Sequence, residues 1–295
     1  MAFRSGFVAV VGRPNVGKSS LVNALVGTKV SIVSDKPQTT RHVVRGVLTG
    51  PDFQAVFTDT PGYHKPRTPL GDRLNRRVEE AVAEVDAVLL VVDAASGVGR
   101  GDAFVAQREV APFRGPKLCA VNKVDLLRRH AEVPQLQAAS DLAGFDHVIP
   151  TSAKTGRGLP ELRALIAAAL PEGDPLFPQD QATDQSMELR IAEVVREKAL
   201  VLTREEIPHS IAVVVEEIER DNETGFVTVS CRLFVERESQ KGIVIGRGGG
   251  MLREIGTRAR MELEEVLGAR VHLEIRVKVQ KEWQRDPVAM DRWGL

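Results

Sequence analysis

Short apolar runs near Val8, Val44, Val56, Val88, Leu118 and Val148 divide the first part of the chain, each bounded by polar or glycine-containing segments. Their length suits strands rather than helices. Between them the apolar positions fall at helical spacing, as over 78–85 and 159–170. Strands alternating with helices predict a doubly wound α/β domain with a mostly parallel sheet, covering residues 1–170. Three prolines in Pro171-Glu172-Gly173-Asp174-Pro175-Leu176-Phe177-Pro178, then a polar run to Ser186, predict a semi-extended linker over 171–186.

Residues 187–295 have a different rhythm. A helical pattern runs through Leu189, Ile191, Val194, Val195 and Lys198. Apolar and polar positions then alternate at Ile211, Val213 and Val215, and again from Val227 to Val235, on either side of the turn Asp221-Asn222-Glu223-Thr224-Gly225. This predicts a hairpin. An apolar segment ending in Gly246, a helix through Leu252, Ile255, Ala259, Leu263 and Val266, and a strand from Val271 to Val279 complete an α-β-β-α-α-β order. The second domain, 187–295, is therefore expected to be α+β.

Composition sets bounds on this picture. A chain of 295 residues, 43% of them hydrophobic, has room for two cores. The longest apolar stretches, 87–95 and 164–170, fall far short of the roughly 20 residues that a membrane span needs. The opening Met1-Ala2-Phe3-Arg4-Ser5-Gly6 runs straight into the first strand, with no room for a signal peptide. Cys119 and Cys231 lie in strand-like runs of different domains, so buried reduced thiols are expected, and with them a cytoplasmic location. The histidines and cysteines show no metal-ligand spacing.

The chemistry stands at the ends of the apolar runs. After Val8 to Val11 comes Gly12-Arg13-Pro14-Asn15-Val16-Gly17-Lys18-Ser19, followed by Ser20. This is a phosphate-binding loop: backbone N–H groups turn inward around phosphate oxygens, Lys18 reaches the β- and γ-phosphates, and Ser19 ligates Mg²⁺. Asp59-Thr60-Pro61-Gly62 follows the run 55–58. Asp59 is expected to hold the metal through water, and Gly62 to offer its N–H to the γ-phosphate. Asn122-Lys123-Val124-Asp125 follows the run 118–121 and identifies the base. A carboxylate only accepts hydrogen bonds, so Asp125 suits the N1–H and amino group of guanine, and GTP is favoured over ATP. Asn122 is expected to tie this loop to the phosphate loop, the Lys123 stem to cover the base, and Ser152-Ala153-Lys154 to offer N–H to the guanine O6.

Between the first two motifs lies Ser34-Asp35-Lys36-Pro37-Gln38-Thr39-Thr40-Arg41, a switch candidate. One threonine here should complete the Mg²⁺ shell, and Thr40 is preferred to Thr39 for its place beside Arg41. The bland alternative is a polar surface loop. Tyr63 occupies the position where Ras-like enzymes carry a water-orienting glutamine, so no general base is assigned. Water orientation can then come from backbone groups and extra charge from a cation: Asn15 is a candidate ligand for a monovalent ion, or an asparagine satisfying its own loop, and Arg13 and Arg41 are alternative donors of charge.

In the second domain Gly246-Arg247-Gly248-Gly249 fits the G-x-x-G of a KH domain, where a nucleic-acid backbone passes close to the start of the next helix. The chain balances 40 basic against 40 acidic residues, but Lys241, Arg247 and Arg253 cluster at this loop, within a wider set of Arg237, Arg258, Arg260, Arg276, Lys278, Lys281 and Arg285. About half of these charges suit an ordinary salt-bridged helix face. Trp283 and Trp293 suit plugs at the end of a small core better than base-stacking platforms.

With these motifs together the chain resembles the Era family of GTPases, over nearly its whole length and with no motif broken. The resemblance implies a P-loop GTPase domain followed by a type II KH domain. It implies a factor for small ribosomal subunit (30S) assembly that binds the 3′ end of 16S ribosomal RNA, with GTP binding and slow hydrolysis switching that association. It further implies Mg²⁺, a possible K⁺ at Asn15, a monomer, and cytoplasmic and peripheral inner-membrane location. Two alternatives stay open: an RNA-binding scaffold that holds nucleotide without turnover, and a membrane-associated cell-cycle regulator.

Overall fold

The structure is a computed structural model that describes every residue except 1, 37–38, 63–67, 129 and 204–206, and only the backbone of 208–209. The chain forms two compact units, the first ending at Asp184 and the second beginning at Gln185, with Ser34–Thr39 and Thr68–Leu70 grouped with the second.

The first unit is built on strands β1 (Arg4–Val11), β2 (Val44–Thr49), β3 (Phe53–Asp59), β4 (Ala87–Asp93), β5 (Lys117–Asn122) and β6 (His147–Pro150). They form one sheet in the order β2-β3-β1-β4-β5-β6. All neighbours are parallel except β2, which pairs antiparallel with β3 at the edge. Helices α1 (Lys18–Val26), α2 (Pro69–Ala83), α3 (Arg100–Val105), α4 (Glu132–Ser140) and α5 (Leu159–Ala169) complete the unit. Alternate residues of each central strand feed two cores. Val8, Val10, Leu89 and Val91 pack with Leu21 and Leu25 of α1 and Leu162 and Ile166 of α5. Ala9, Val11, Leu90 and Val92 pack with Val78 of α2, Val105 of α3 and Ala139 of α4. Burial on both faces is why these strands read as unbroken apolar runs.

The parallel strands all end at one edge, which therefore gathers the loops after β1, β3, β4, β5 and β6. That edge is where ligands enter a doubly wound sheet.

The segment expected as a semi-extended linker is, over 171–184, part of the first unit. Buried Gln54 accepts hydrogen bonds from Leu176 N–H (2.7 Å) and Phe177 N–H (2.8 Å) and donates to the Phe177 carbonyl (2.9 Å). Val47 N–H donates to the Ala182 carbonyl at 2.8 Å beside a bridge between Gly46 and Thr183. The prolines exclude a regular element but leave the N–H groups between them free to bind the edge of the sheet.

The second unit follows the expected order, with α6 (Met187–Leu202), a short helix α7 (Ile207–Ser210), β7 (Ala212–Arg220), β8 (Val227–Val235), α8 (Glu238–Ile245), α9 (Gly250–Leu267) and β9 (Val271–Val279), and adds α10 (Pro287–Arg292). β7 and β8 are antiparallel, while β9 lies parallel to β8. Val229, Cys231, Leu233 and Val235 alternate inward to meet Ile191 and Val195 of α6, Val244 of α8, and Ile255 and Leu263 of α9. Both cysteines are buried free thiols, and burial pushes each thiol pKa upward. Trp283 is fully buried and donates its indole N–H to the Ser210 carbonyl at 2.9 Å. Trp293 stacks on Phe234 at 4.5 Å, so both tryptophans serve the core.

Candidate nucleotide site and RNA-binding loop

The phosphate loop between β1 and α1 holds its shape through backbone that few side chains tolerate. Gly17 has φ 97°, and a Cβ there would lie 2.4 Å from Asn122 Nδ2. Asn15, exposed at the loop apex, is itself left-handed at φ 64°, a conformation that asparagine accepts more readily than most residues. Val16 is buried in the core beneath, while Ser20 lies half-buried on α1.

Lys18 is buried with its ammonium turned onto the Gly12 and Arg13 carbonyls, each at 3.0 Å. Burial holds its pKa down at about 8, against the attraction of Asp59. A cation kept by loop carbonyls is poised to exchange them for anionic phosphate oxygens. Asp59 is fully buried at the end of β3, and neither carboxylate oxygen finds a hydrogen-bond donor among the described residues. Burial pushes its carboxyl pKa up, opposed by the nearby Ser19 hydroxyl, Lys18 ammonium and Ser31 hydroxyl. The Ser19 and Thr40 hydroxyls stand 3.0 Å apart. Thr39 instead donates to the Lys36 carbonyl at 2.6 Å and meets the Ser34 hydroxyl. Two hydroxyls and an unsatisfied buried carboxylate are an all-oxygen set suited to a hard divalent cation.

Thr60 is buried and gives its hydroxyl to the Val10 carbonyl at 2.8 Å, locking the turn after β3 against β1. Pro61 is buried, and the Gly62 backbone approaches the phosphate loop so closely that a Cβ would fall 2.8 Å from Pro14. Tyr63 lies outside the described residues.

The base loop is tied to both neighbours by one buried side chain. Asn122 donates to the Val16 carbonyl at 3.1 Å and accepts from Ala153 N–H at 3.2 Å. Asp125 is exposed; its Oδ1 accepts the Ser152 hydroxyl at 2.5 Å, leaving Oδ2 for a ligand. Ser152 also accepts Thr155 N–H at 3.1 Å, and Lys154 is exposed beside it. Lys123 Nζ donates to the Asn15 carbonyl at 2.6 Å and to Asp93 Oδ2 at 2.7 Å.

Two acidic residues that motif reading passed over organise this edge. Asp93 ends β4 as Asp59 ends β3, and the same reasoning, a polar residue closing an apolar run at the ligand edge, would have found it. Asp102, fully buried in α3, accepts Arg13 Nε at 2.7 Å and Gly99 N–H at 2.9 Å. Arg13 also reaches Ser96 Oγ at 3.2 Å and the Gly97 carbonyl at 3.3 Å. Here the Arg13 guanidinium braces the loop against the end of β4 and the start of α3. Nothing in its spacing with Asp102, 89 residues away, signals the pair. Arg41 is buried, and its carbonyl accepts from Arg77 at 3.2 Å.

In the second unit, Gly246 closes α8 with φ 74°, and a Cβ there would meet the Met251 backbone nitrogen at 2.8 Å. Gly248 and Gly249 are also left-handed, with open space where a Cβ would stand. Arg247 and Arg253 are exposed and Lys241 is half-buried, and none of the three has an ion-pair partner among the described residues. By contrast, Arg258 pairs with Glu254 at 2.6 Å, Arg260 with Glu264 at 2.9 Å, and Arg276 with Glu274 at 2.9 Å. Three unpaired cations thus stand around the glycine loop.

Comparison with known proteins agrees in both units. The family model of the 50S ribosome-binding GTPase matches residues 7–123, and that of the KH domain matches 206–284. The chain is 48% identical to the GTPase Era of Mycobacterium sp. (strain KMS) and 47% identical to that of Mycobacterium tuberculosis (strain ATCC 25177 / H37Ra), in each case over 99% of both chains. It is similar to a crystal structure of Era in complex with MgGDPNP and nucleotides 1506–1542 of 16S ribosomal RNA, with TM-score 0.95, 41% identity and 99% of both chains covered. It is equally similar in shape to Aquifex aeolicus Era Y63A bound to GDP·AlF4−, at TM-score 0.95 and 40% identity, again over 99% of both chains.

Proposed function

The chain belongs to the Era family of GTPases, and we propose that it hydrolyses GTP and uses the bound nucleotide to control its hold on the 3′ end of 16S ribosomal RNA during small-subunit assembly. The observation that carries this reading is the presence, in one chain, of phosphate and base loops joined through Asn122 and of a G-x-x-G loop flanked by unpaired cations.

The residues divide the work as follows. Asp125 Oδ2 accepts from guanine, Ala153 and Lys154 offer backbone N–H to the O6, and the Lys123 stem covers the ring. Lys18 leaves the Gly12 and Arg13 carbonyls for the β- and γ-phosphates, while the N–H groups of 15–20 cradle them. The Ser19 and Thr40 hydroxyls and the buried Asp59 carboxylate would hold Mg²⁺, which would supply charge neutralisation at the phosphates. Gly62 N–H reports the γ-phosphate, so the turn after β3 differs between GTP and GDP states. Phosphoryl transfer through a loose transition state needs mainly positioning and positive charge. A K⁺ ion would supply part of that charge, with exposed Asn15 at the loop apex as its candidate ligand. In the second unit the backbone of RNA passes over Gly248 and Gly249, with Lys241, Arg247 and Arg253 on its phosphates and bases in the adjoining groove. This activity belongs to the cytoplasm, on the 30S particle; the peripheral membrane association implied by the family is tested by liposome sedimentation.

The test is binding of a labelled oligonucleotide matching the 3′ end of 16S ribosomal RNA, with the protein held in a non-hydrolysable GTP analogue or in GDP, alongside phosphate release from GTP. Tighter binding with the analogue and measurable release support the proposal, since nucleotide control requires differential affinity. Equal binding in both states removes the switch, and absence of release with GTP bound leaves an RNA-binding scaffold.

A further inference from the structure

Asp93 stands where the phosphate loop and the base loop meet the end of β4, yet none of the four nucleotide motifs contains it. Its Oδ1 accepts Ala95 N–H at 2.9 Å and Ser96 N–H at 3.1 Å, so the chain leaving β4 wraps around the carboxylate. Its Oδ2 faces Lys123 Nζ at 2.7 Å. The same ammonium donates to the Asn15 carbonyl at 2.6 Å. A single cation thus clips the end of β4 to the apex of the phosphate loop, with the base loop as its stem. The stem residue Lys123 and the loop residue Asn15 that it grips are both left-handed, each having φ 64°.

Lys123 needs such a clip. Its side chain retains 31% exposure against 11% for Asp93, and a half-exposed lysine otherwise samples many rotamers. Burial raises the Asp93 carboxyl pKa, but the Lys123 ammonium and the Ser96 and Ala95 N–H groups outweigh it, and the net direction is downward. The carboxylate is therefore charged when the nucleotide arrives. In the sheet Asp93 lies directly beside Asn122, and Ala94 N–H donates to the Asn122 carbonyl at 2.9 Å, so a shift at either residue is felt by the other.

Resting on the reading that GTP occupies this edge, we propose that Asp93 is a positioning residue for guanine nucleotide. It fixes the Lys123 stem over the base and couples the base loop to the phosphate loop. Asp93 itself touches no part of the ligand. Because the clip lies on the base side, away from the γ-phosphate, it strengthens GTP and GDP binding alike.

Asp93→Asn is the informative change in the full-length protein. Asparagine keeps an Oδ1 acceptor for the Ala95 and Ser96 N–H groups, since it makes the same turn as aspartate. It replaces Oδ2 with an amide NH2 that confronts the ammonium. Affinities for fluorescent GDP and GTP analogues are expected to fall by the same factor of about 10, the size of one charge-assisted hydrogen bond. KM for GTP rises with kcat little changed, the signature of uniform binding. In a Lys123→Met background, Asp93→Asn is expected to cost nothing further. Unchanged affinity in Asp93→Asn overturns the proposal, as does a loss that adds in full to that of Lys123→Met, because either result takes Lys123 out of the argument. A GDP affinity preserved while GTP binding falls also overturns it. Failure of the unaltered protein to bind GTP would strike the underlying reading instead, and is separable because it precedes any substitution.

Discussion

Asp125 offers one committed oxygen and one free one, and under the proposed function that asymmetry would make base selection a property of a single atom. Ser152 holds Oδ1 at 2.5 Å, so Oδ2 is presented in a fixed direction. Replacing it by an amide in Asp125→Asn turns an acceptor into a donor toward guanine's own donors. GTP affinity should fall by about 10- to 100-fold, the loss of charge-assisted hydrogen bonds, while a nucleotide with oxygen in place of the guanine amino group gains. Competition of GTP and XTP for a fluorescent nucleotide measures both. At the glycine loop, Gly249 has φ 76° and open space around its missing Cβ, and aspartate is among the residues that tolerate this backbone. Gly249→Asp should leave GTP binding intact and weaken oligonucleotide binding at least about tenfold, by placing a carboxylate in the path of phosphates. Motif residues of this kind were legible because their chemistry is local. Asp102 was not, because its meaning lies in a contact with Arg13 that only the folded chain makes.

Elements were readable in proportion to how fully they are buried. The central strands of the first sheet are apolar on both faces, and β8 and β9 of the second alternate, so these announce themselves. Helices α3, α4 and α10 went unread, because each is short and buries little: Ala139 is the one buried residue of α4, and α10 is fixed chiefly by its cap, where Asp286 accepts Val288 N–H at 3.0 Å and Ala289 N–H at 3.3 Å with Pro287 opening the helix. The antiparallel pairing of β2 was equally invisible, since periodicity carries no direction. Trp283 shows where the C-terminal segment acquires its hold. It is fully buried and bonded to the Ser210 carbonyl. Trp283→Ala should cost about 3–5 kcal/mol of second-unit stability, from lost transfer and a residual cavity. Urea unfolding of the second unit should shift accordingly, and GTP affinity should not.

For the whole molecule, the decisive question is where the first unit stops. Composition places the end at 170, because prolines and polar residues follow; the structure places it at Asp184, because those residues satisfy groups that the sheet buries. Gln54 is fully buried, and its amide is satisfied largely by Leu176 and Phe177. Ser5 likewise donates its hydroxyl to the Asp174 carbonyl at 2.6 Å, and Gly173 N–H donates to the Phe3 carbonyl at 3.0 Å. A fragment ending at 170 therefore strips partners from buried groups, whereas one ending at 184 keeps them. Each orphaned buried group costs about 1–3 kcal/mol. The 1–184 fragment is expected to unfold at a clearly higher temperature than the 1–170 fragment and to bind GTP as the full chain does. In the longer fragment Gln54→Ala should remove much of that difference, since the strap then has no amide to grip. Equal melting temperatures for the two fragments would mean that 171–184 is held by the second unit's presence rather than by Gln54, and would return the segment to the role of a tether.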